Sequence, residues 1–400
     1  MALEPETSLR SRASTRDHCP RATTGERAAR PHESAGSLPD DVAGSVAPDD
    51  IVETPAEGAA NDREPLLVLG PLREFLDAHG LDAPDDLSAV PFTEGHSNVT
   101  FGLSTGVVLR RPPRGPLPPS AHDVLREARL LTALEPTRAR TPRVLAVGDD
   151  DSVIGAPFYV MEQMHGHVIT DAIPEDLDTP EQRARMADEL VEALVEVHAV
   201  DWTQLGLDGF GKPTGYLERQ LRRFNGLWEH NKTREVPEFE QVSRWLAANL
   251  PESPPATIVH GDYRLGNTML ANGAPARLLA IFDWEMATIG DPLADIGYMM
   301  LHWTQSDDAG DSRFNLQSVT ARPGFPSRQE LVARYEERSG RSMQALSWYV
   351  TLALWKAVAF MEGNYKRAIS GSTDDPYLKS FGDGVIELAQ RALDVTRNGF

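Results

Sequence analysis

The chain has 400 residues, 60 acidic side chains against 39 basic ones, a formal net charge of −21 and 40% hydrophobic residues. That length accommodates one large domain or two ordinary ones with a sizeable core, and so negative a balance, with no local basic stripe, makes nucleic acid a poor partner. A single cysteine, Cys19, excludes an internal disulfide, and with no leader-like apolar stretch and no run near the ~20 residues of a spanning helix the expectation is a soluble, cytoplasmic protein without membrane attachment.

Residues 1–62 contain no Phe, Trp or Tyr and are dense in Arg, Ser, Ala, Pro, Glu and Asp. Such a segment buries too little apolar area to offset its chain entropy, which predicts a disordered tail. Arg residues before Arg30 hint at a transit peptide, but Glu4, Glu6, Asp17 and Glu26 among them argue against one.

Residues 63–164 read as a mixed N-terminal lobe. Leu69 to His79 has the spacing of a short amphipathic helix, and Ala89 to Thr93, Asn98 to Ser104 and Gly106 to Arg111 alternate as strands with Gly-containing turns. After the Pro-rich stretch from Pro112 to Pro119, Ala121 to Leu134 is helical in pattern, and Arg143 to Val147 and Pro157 to Met161 read as two further strands. Residues 165–400 are dominated by helical patterns, at Pro180 to His198, Gly215 to Glu229, Glu238 to Leu250, Ser327 to Ser339, Ser342 to Ile369 and Asp375 to Val395.

Two short apolar strands interrupt that helical half. Ile258-Val259 runs into His260-Gly261-Asp262, with Asn267 five residues after the aspartate, and Leu278 to Phe282 runs into Asp283-Trp284-Glu285. Three oxygen-bearing side chains can thereby converge. Mg2+ takes a few carboxylate or carbonyl oxygens and leaves its other positions to water and substrate phosphates, and a carboxylate kept off the metal can hold and deprotonate a hydroxyl. His-Gly-Asp alone is a tripeptide of ordinary turns; the pairing with Asn267 and a second strand-borne Asp283 gives it weight.

These segments, continuing into Gly290-Asp291-Pro292 and Asp295, resemble the aminoglycoside phosphotransferase and choline-kinase-like family of small-molecule kinases. Gly95-His96-Ser97-Asn98-Val99-Thr100-Phe101 and Leu109-Arg110-Arg111-Pro112-Pro113 look closest to the branch related to kinase-like domains of acyl-CoA dehydrogenase fusions. The resemblance runs from about Leu66 to Leu393 and implies an α+β, bilobal protein-kinase-like fold: a sheet-plus-helix nucleotide-binding lobe at 63–164 and a helical catalytic and acceptor lobe at 165–400.

By that resemblance the cofactors are ATP and Mg2+. Asp262 is the hydroxyl-orienting carboxylate, Asn267 and Asp283 are the metal ligands, and His260 and Asp295 order the loop. Asp291 reads as a helix cap. Arg110 stands where such kinases carry a phosphate-binding Lys, with Glu127 as its ion-pair partner; arginine keeps the charge and grips phosphate bidentately. Ser97 and Asn98 belong to a phosphate-covering turn. Met161, Glu162 and Met164 fall on the strand and link that border adenine. His165 and His167 read as polar loop residues rather than metal ligands.

Between Tyr349 and Gly371 three basic residues, Lys356, Lys366 and Arg367, stand against one acidic residue, Glu362, with Trp355, Phe360, Met361 and Tyr365 interleaved. A polycation would want a carboxylate-lined trough. This pattern suits an apolar hydroxyl acceptor with an anionic end, such as a hydroxyacyl or CoA-type compound. An aminoglycoside-type antibiotic kinase and an inactive nucleotide-binding pseudokinase are the alternatives.

Overall fold

The computed structural model describes residues 46–92, 98–115, 122–308, 318–371 and 376–400. In chain order these form β1 (Ile51–Val52), α1 (Pro55–Ala59), β2 (Leu67–Val68), α2 (Leu69–Ala78), β3 (Ala89–Pro91), β4 (Val99–Leu103), β5 (Val107–Arg111), α3 (Val124–Leu134), β6 (Val144–Gly148), β7 (Phe158–Glu162) and β8 (His167–Val168). The helical half follows with α4 (Pro180–His198), α5 (Tyr216–Asn231), α6 (Pro237–Ala248), β9 (Thr257–Val259), β10 (Thr268–Leu270), β11 (Leu278–Ile281), β12 (Thr288–Gly290), α7 (Leu293–Leu301), α8 (Arg328–Ser339), α9 (Leu346–Ile369), α10 (Pro376–Lys379) and α11 (Phe381–Asn398). The fold is α+β, as expected. No helix among the described residues is long and apolar enough to cross a membrane.

The N-terminal sheet is antiparallel with strand order β3-β4-β5-β7-β6. Alternation along its strands feeds two cores. Phe101, Leu103, Leu109, Phe158 and Val160 face α2 and pack with Leu72 and Leu76. Val108, Tyr159 and Met161 face the other way, onto Val124, Ala128 and Leu131 of α3, in a core continuous with the helical lobe. Asp123 caps α3 by accepting from the Arg126 N–H at 2.9 Å.

In the helical lobe, the 24-residue α9 runs through the core with Trp348, Leu352, Trp355 and Val358 buried. Thr179 caps α4, whose first position is Pro180, and Ser327 with Glu330 forms a capping box for α8, closed by Gly340 in the left-handed region. Two small antiparallel pairings remain, β9 with β12 and β10 with β11, the latter extended by β8.

Residues 46–62 depart from the disordered tail that composition predicts for 1–62. They carry a 3-10 turn at Pro48–Asp50, β1 and α1, and β1 pairs in parallel with β2. The cause is polar rather than aromatic: Asp50 is fully buried and holds Arg63 at 3.1 Å together with Arg114. The remaining tail, with Cys19, lies outside the described residues. His167, expected in a loop, pairs with Leu270 in β8, and the pattern from Asp375 to Val395 breaks at Ser380 into α10 and α11.

Candidate active site

β9 delivers His260, Gly261 and Asp262 at its end. Gly261 sits at φ +90°, and a Cβ there would lie 2.9 Å from Met286 Cβ and 3.0 Å from its carbonyl oxygen, so only glycine fits. Asp295, fully buried on α7, accepts the His260 N–H on Oδ2 and the Gly261 N–H on Oδ1, both at 2.8 Å. His198 at the end of α4 stands behind it: Nε2 meets Asp295 Oδ2 at 3.1 Å, and Nδ1 faces the Tyr335 hydroxyl at 2.7 Å. Burial pushes the Asp295 carboxyl up, but its hydrogen bonds and the nearby imidazoles outweigh that and leave it below its ordinary value. His260 accepts the Asp262 N–H on Nδ1 at 3.2 Å, so Nε2 carries the proton and donates to the Phe282 carbonyl at 2.9 Å. The loop's backbone is therefore held at three consecutive residues.

Asn267 closes the loop on itself, donating from Nδ2 to both the carbonyl and Oδ2 of Asp262, each at 2.8 Å. Thr268 pairs with Ile281 across the β10–β11 ladder, and the Phe282 N–H donates to the Asn267 carbonyl at 2.8 Å. Asp283 follows at once, at φ +64°, a left-handed conformation uncommon for a non-glycine residue. The ladder thus brings Asp262, Asn267 and Asp283 to one end of the same small sheet.

Arg110 reaches this cluster from the other lobe. Period-two alternation puts it on the α3 face of β5, beside Val108. There Nε donates to Glu127 Oε2 at 2.9 Å and Nη2 to Asp283 Oδ1 at 3.0 Å. Burial acts to lower the Arg110 pKa, but Glu127 and the other surrounding acidic groups raise it above its ordinary value. Glu127 is pushed up by burial against the pull of Arg110, and its Oε1 accepts the Trp284 N–H at 3.2 Å. One carboxylate on α3 therefore fixes both the cation and the backbone next to Asp283. A second link crosses the cleft where Asn98 donates to Glu285 Oε2 at 3.2 Å.

The donor set suits a hard cation. Asp262 Oδ1 is buried and accepts no hydrogen bond, lying 3.5 Å from Arg264 Nε. Among the described residues neither Asn267 Oδ1 nor Asp283 Oδ2 is engaged in a hydrogen bond. A carboxylate and an amide oxygen are what a water-rich Mg2+ shell takes from protein.

At the opposite edge of the cleft, Met161 is buried on β7, and the Glu162 side chain accepts the Arg143 N–H at 2.9 Å, bracing the start of the link to Met164. Ser97 lies outside the described residues. Three residues near Asp262 escaped the sequence reading: Arg264, Tyr298 and His302. Burial first, then the charge of Asp262, pushes the Tyr298 phenol well above its ordinary value, and burial lowers His302 to about 4. Tyr298 lies one turn of α7 after Asp295, a spacing that could have flagged it.

On α9 the expected acceptor wall is thinner than its composition. Trp355 is fully buried and stacks on Phe239 with ring centroids 4.9 Å apart, and Met361 is buried. Among the described residues, Phe360 is the one aromatic residue of α9 that is well exposed, with Ile369 exposed at the helix end. Glu362 is buried and accepts from the Thr233 N–H at 2.8 Å and the Thr233 hydroxyl at 2.6 Å, so the helix's one carboxylate in this stretch is turned into the core.

The phosphotransferase enzyme family model matches residues 88–331. Acyl-CoA dehydrogenase family member 10 of Mus musculus is 32% identical over 327 residues, covering 80% of this chain and 30% of the relative. Acyl-CoA dehydrogenase family member 11 of Gallus gallus is 32% identical over 321 residues, covering 78% and 40%. The chain therefore spans well under half the length of these curated relatives. Among solved structures, a protein from Ralstonia eutropha assigned to the aminoglycoside phosphotransferases superposes with a TM-score of 0.70 at 29% identity, covering 82% of this chain and 97% of that one. A ternary complex of aminoglycoside phosphotransferase APH(4)-Ia with AMP-PNP and hygromycin B gives a TM-score of 0.53 at 17% identity, covering 83% and 100%, a likeness of fold. With a matched stretch that holds Arg110, Glu127, Asp262, Asn267 and Asp283, the chain belongs to the phosphotransferase enzyme family and has its bilobal, protein-kinase-like fold.

Proposed function

We propose that the protein transfers the γ-phosphoryl group of ATP to a hydroxyl of a small molecule, with a hydroxyacyl or CoA-type compound as acceptor. The observation that carries this reading is the ion pair of Arg110 with Asp283 across the cleft, with Glu127 behind it and the Asp262–Asn267 hydrogen bond beside it. Asn267 and Asp283 would hold Mg2+, which when bound supplies charge neutralisation on the phosphates. Arg110 is a fixed, permanently charged fork that draws the phosphates to the same place. Asn98, just before β4, and Ser97, outside the described residues, would cover them, while the Glu162 carbonyl and the Met164 N–H meet the adenine edge beside Met161.

Asp262 then orients the acceptor. Its Oδ2 is pinned by Asn267, whereas its Oδ1 accepts no hydrogen bond and has only Arg264 Nε nearby at 3.5 Å, so Oδ1 holds the incoming hydroxyl and takes its proton as the hydroxyl oxygen attacks the γ-phosphorus and ADP leaves. Positioning and preorganised charge supply most of the acceleration.

Purified protein incubated with radiolabelled ATP and Mg2+ against hydroxy acids, acyl-CoA compounds, amino alcohols and aminoglycosides tests the reading. Label is expected on a hydroxyacyl or CoA-type compound. Label confined to aminoglycosides contradicts the acceptor class, and no transfer to any compound contradicts phosphotransfer.

A further inference from the structure

α9 carries three cations, and two of them are occupied. Lys366 donates to the His230 carbonyl at 2.5 Å, and Arg367 donates to Asn364 Oδ1 at 2.6 Å. Lys356 is different. Among the described residues its ammonium makes no hydrogen bond or ion pair; it lies over the Phe224 ring, 4.9 Å from the centroid. Arg223 of α5 stands over the same ring at 5.9 Å, and the Phe360 ring meets Phe224 edge-on at 5.2 Å. Two positive charges thus share one aromatic platform without a paired carboxylate, in a chain of net charge −21.

The carboxylates that act on Lys356 are Asp262 and Asp295, and the charge opposing it is Arg223. Glu362, one and a half turns further along α9, is buried and committed to Thr233 and Arg234. Nothing negative among the described residues is paired with the ammonium, although a half-buried cation beside another cation gains from an anionic partner.

We infer that Lys356, assisted by Arg223, is the specificity-determining residue of the acceptor site and binds an anionic group, such as a carboxylate, that the acceptor carries close to the hydroxyl presented to Asp262. The inference rests on the phosphotransfer reading and names what that site selects. Phe360, exposed beside the buried Phe224 ring, supplies apolar surface against which the rest of such an acceptor lies. Among the described residues no hydrogen bond or ion pair joins Lys356 to Arg110, Asn267 or Asp283, so its role separates from Mg-ATP binding.

The test compares the wild-type chain, K356M and K356R in Mg-ATP-dependent transfer to a series of hydroxy acids and to the uncharged primary amides of the same compounds. K356M should lose about 10- to 100-fold in kcat/KM on the acids, the worth of one charge-assisted hydrogen bond, and change less than about threefold on the amides, with KM for Mg-ATP unaltered. K356R should recover most of the loss, because it restores the charge in the same place. Equal losses on acids and amides, or no loss on the acids, overturn the inference while leaving phosphotransfer standing. Absence of transfer by the wild-type chain to either series, with transfer to an acyl-CoA, amino-alcohol or aminoglycoside acceptor, overturns this inference alone; absence of transfer to every acceptor overturns the phosphotransfer reading with it.

Discussion

Arg110 and Lys356 are both sheltered cations near carboxylates, yet their proton affinities move in opposite directions. Arg110 is clasped by Glu127 and Asp283 at hydrogen-bond distance, and that pairing outweighs the cost of burial. Lys356 has no such clasp, so burial, reinforced by Arg223, lowers it from 10.5 to about 8. The sign for stability follows. Between pH 8 and 10.5 the unfolded chain still binds the proton that the folded chain has lost, so stability rises with pH across that window; below it the full penalty is present. The charged groups that act on Lys356 are Arg223, which opposes the ammonium, and Asp295 and Asp262, which favour it. Thermal denaturation at a series of pH values should therefore show wild type gaining of the order of 2 kcal/mol relative to K356M between pH 7 and 10.5. Parallel curves for the two proteins would mean that the ammonium is solvated like any surface lysine.

At the scale of elements, α7 is the buttress of the catalytic loop. Asp295 satisfies two consecutive backbone donors from a fully buried position and is itself held by His198. Asp295→Asn places an amide nitrogen against one of those donors. It should cost about 2–4 kcal/mol in a urea titration, since a buried donor loses its acceptor, and should lower kcat at least about tenfold through displacement of Asp262. A change within 1 kcal/mol with full activity would show that the loop holds itself.

These buttresses were only partly legible in the sequence. Ile258-Val259 and Leu278 to Ile281 stand out as strands because they are short apolar runs ended by polar residues, and α4 and α8 announce themselves through Thr179-Pro180 and Ser327 with Glu330. β8 is two residues long and has no periodicity to read. The pairing of Arg110 with Glu127 follows from strand alternation meeting a helix face, but its simultaneous contact with Asp283, 173 residues away, is a tertiary fact. Lys356 was visible as a cation among aromatics, while the burial of Trp355 and the inward turn of Glu362 depend on how α9 is rotated against α5 and α6.

At the scale of the molecule, two cores meet at the functional cleft. The smaller one lies between the N-terminal sheet and α2, whereas the opposite face of that sheet and α3 belong to the core of the helical lobe. Glu127 therefore sits on an element anchored to both halves, which is how one buried carboxylate can position Arg110 from one lobe and the backbone beside Asp283 from the other. The matched family region, residues 88–331, spans this junction and ends before α9, so the element proposed to read the acceptor lies beyond the stretch that carries the shared chemistry. Division of labour inside the cleft is the central claim, with Asp262 serving the acceptor and Asp283 serving the nucleotide. Calorimetric titration of Mg-ATP into wild type, D262A and D283A tests it most directly: D262A should bind as wild type does while losing transfer, and D283A should bind at least about tenfold more weakly. Equal loss of affinity in both variants, or unchanged affinity in D283A, would contradict it.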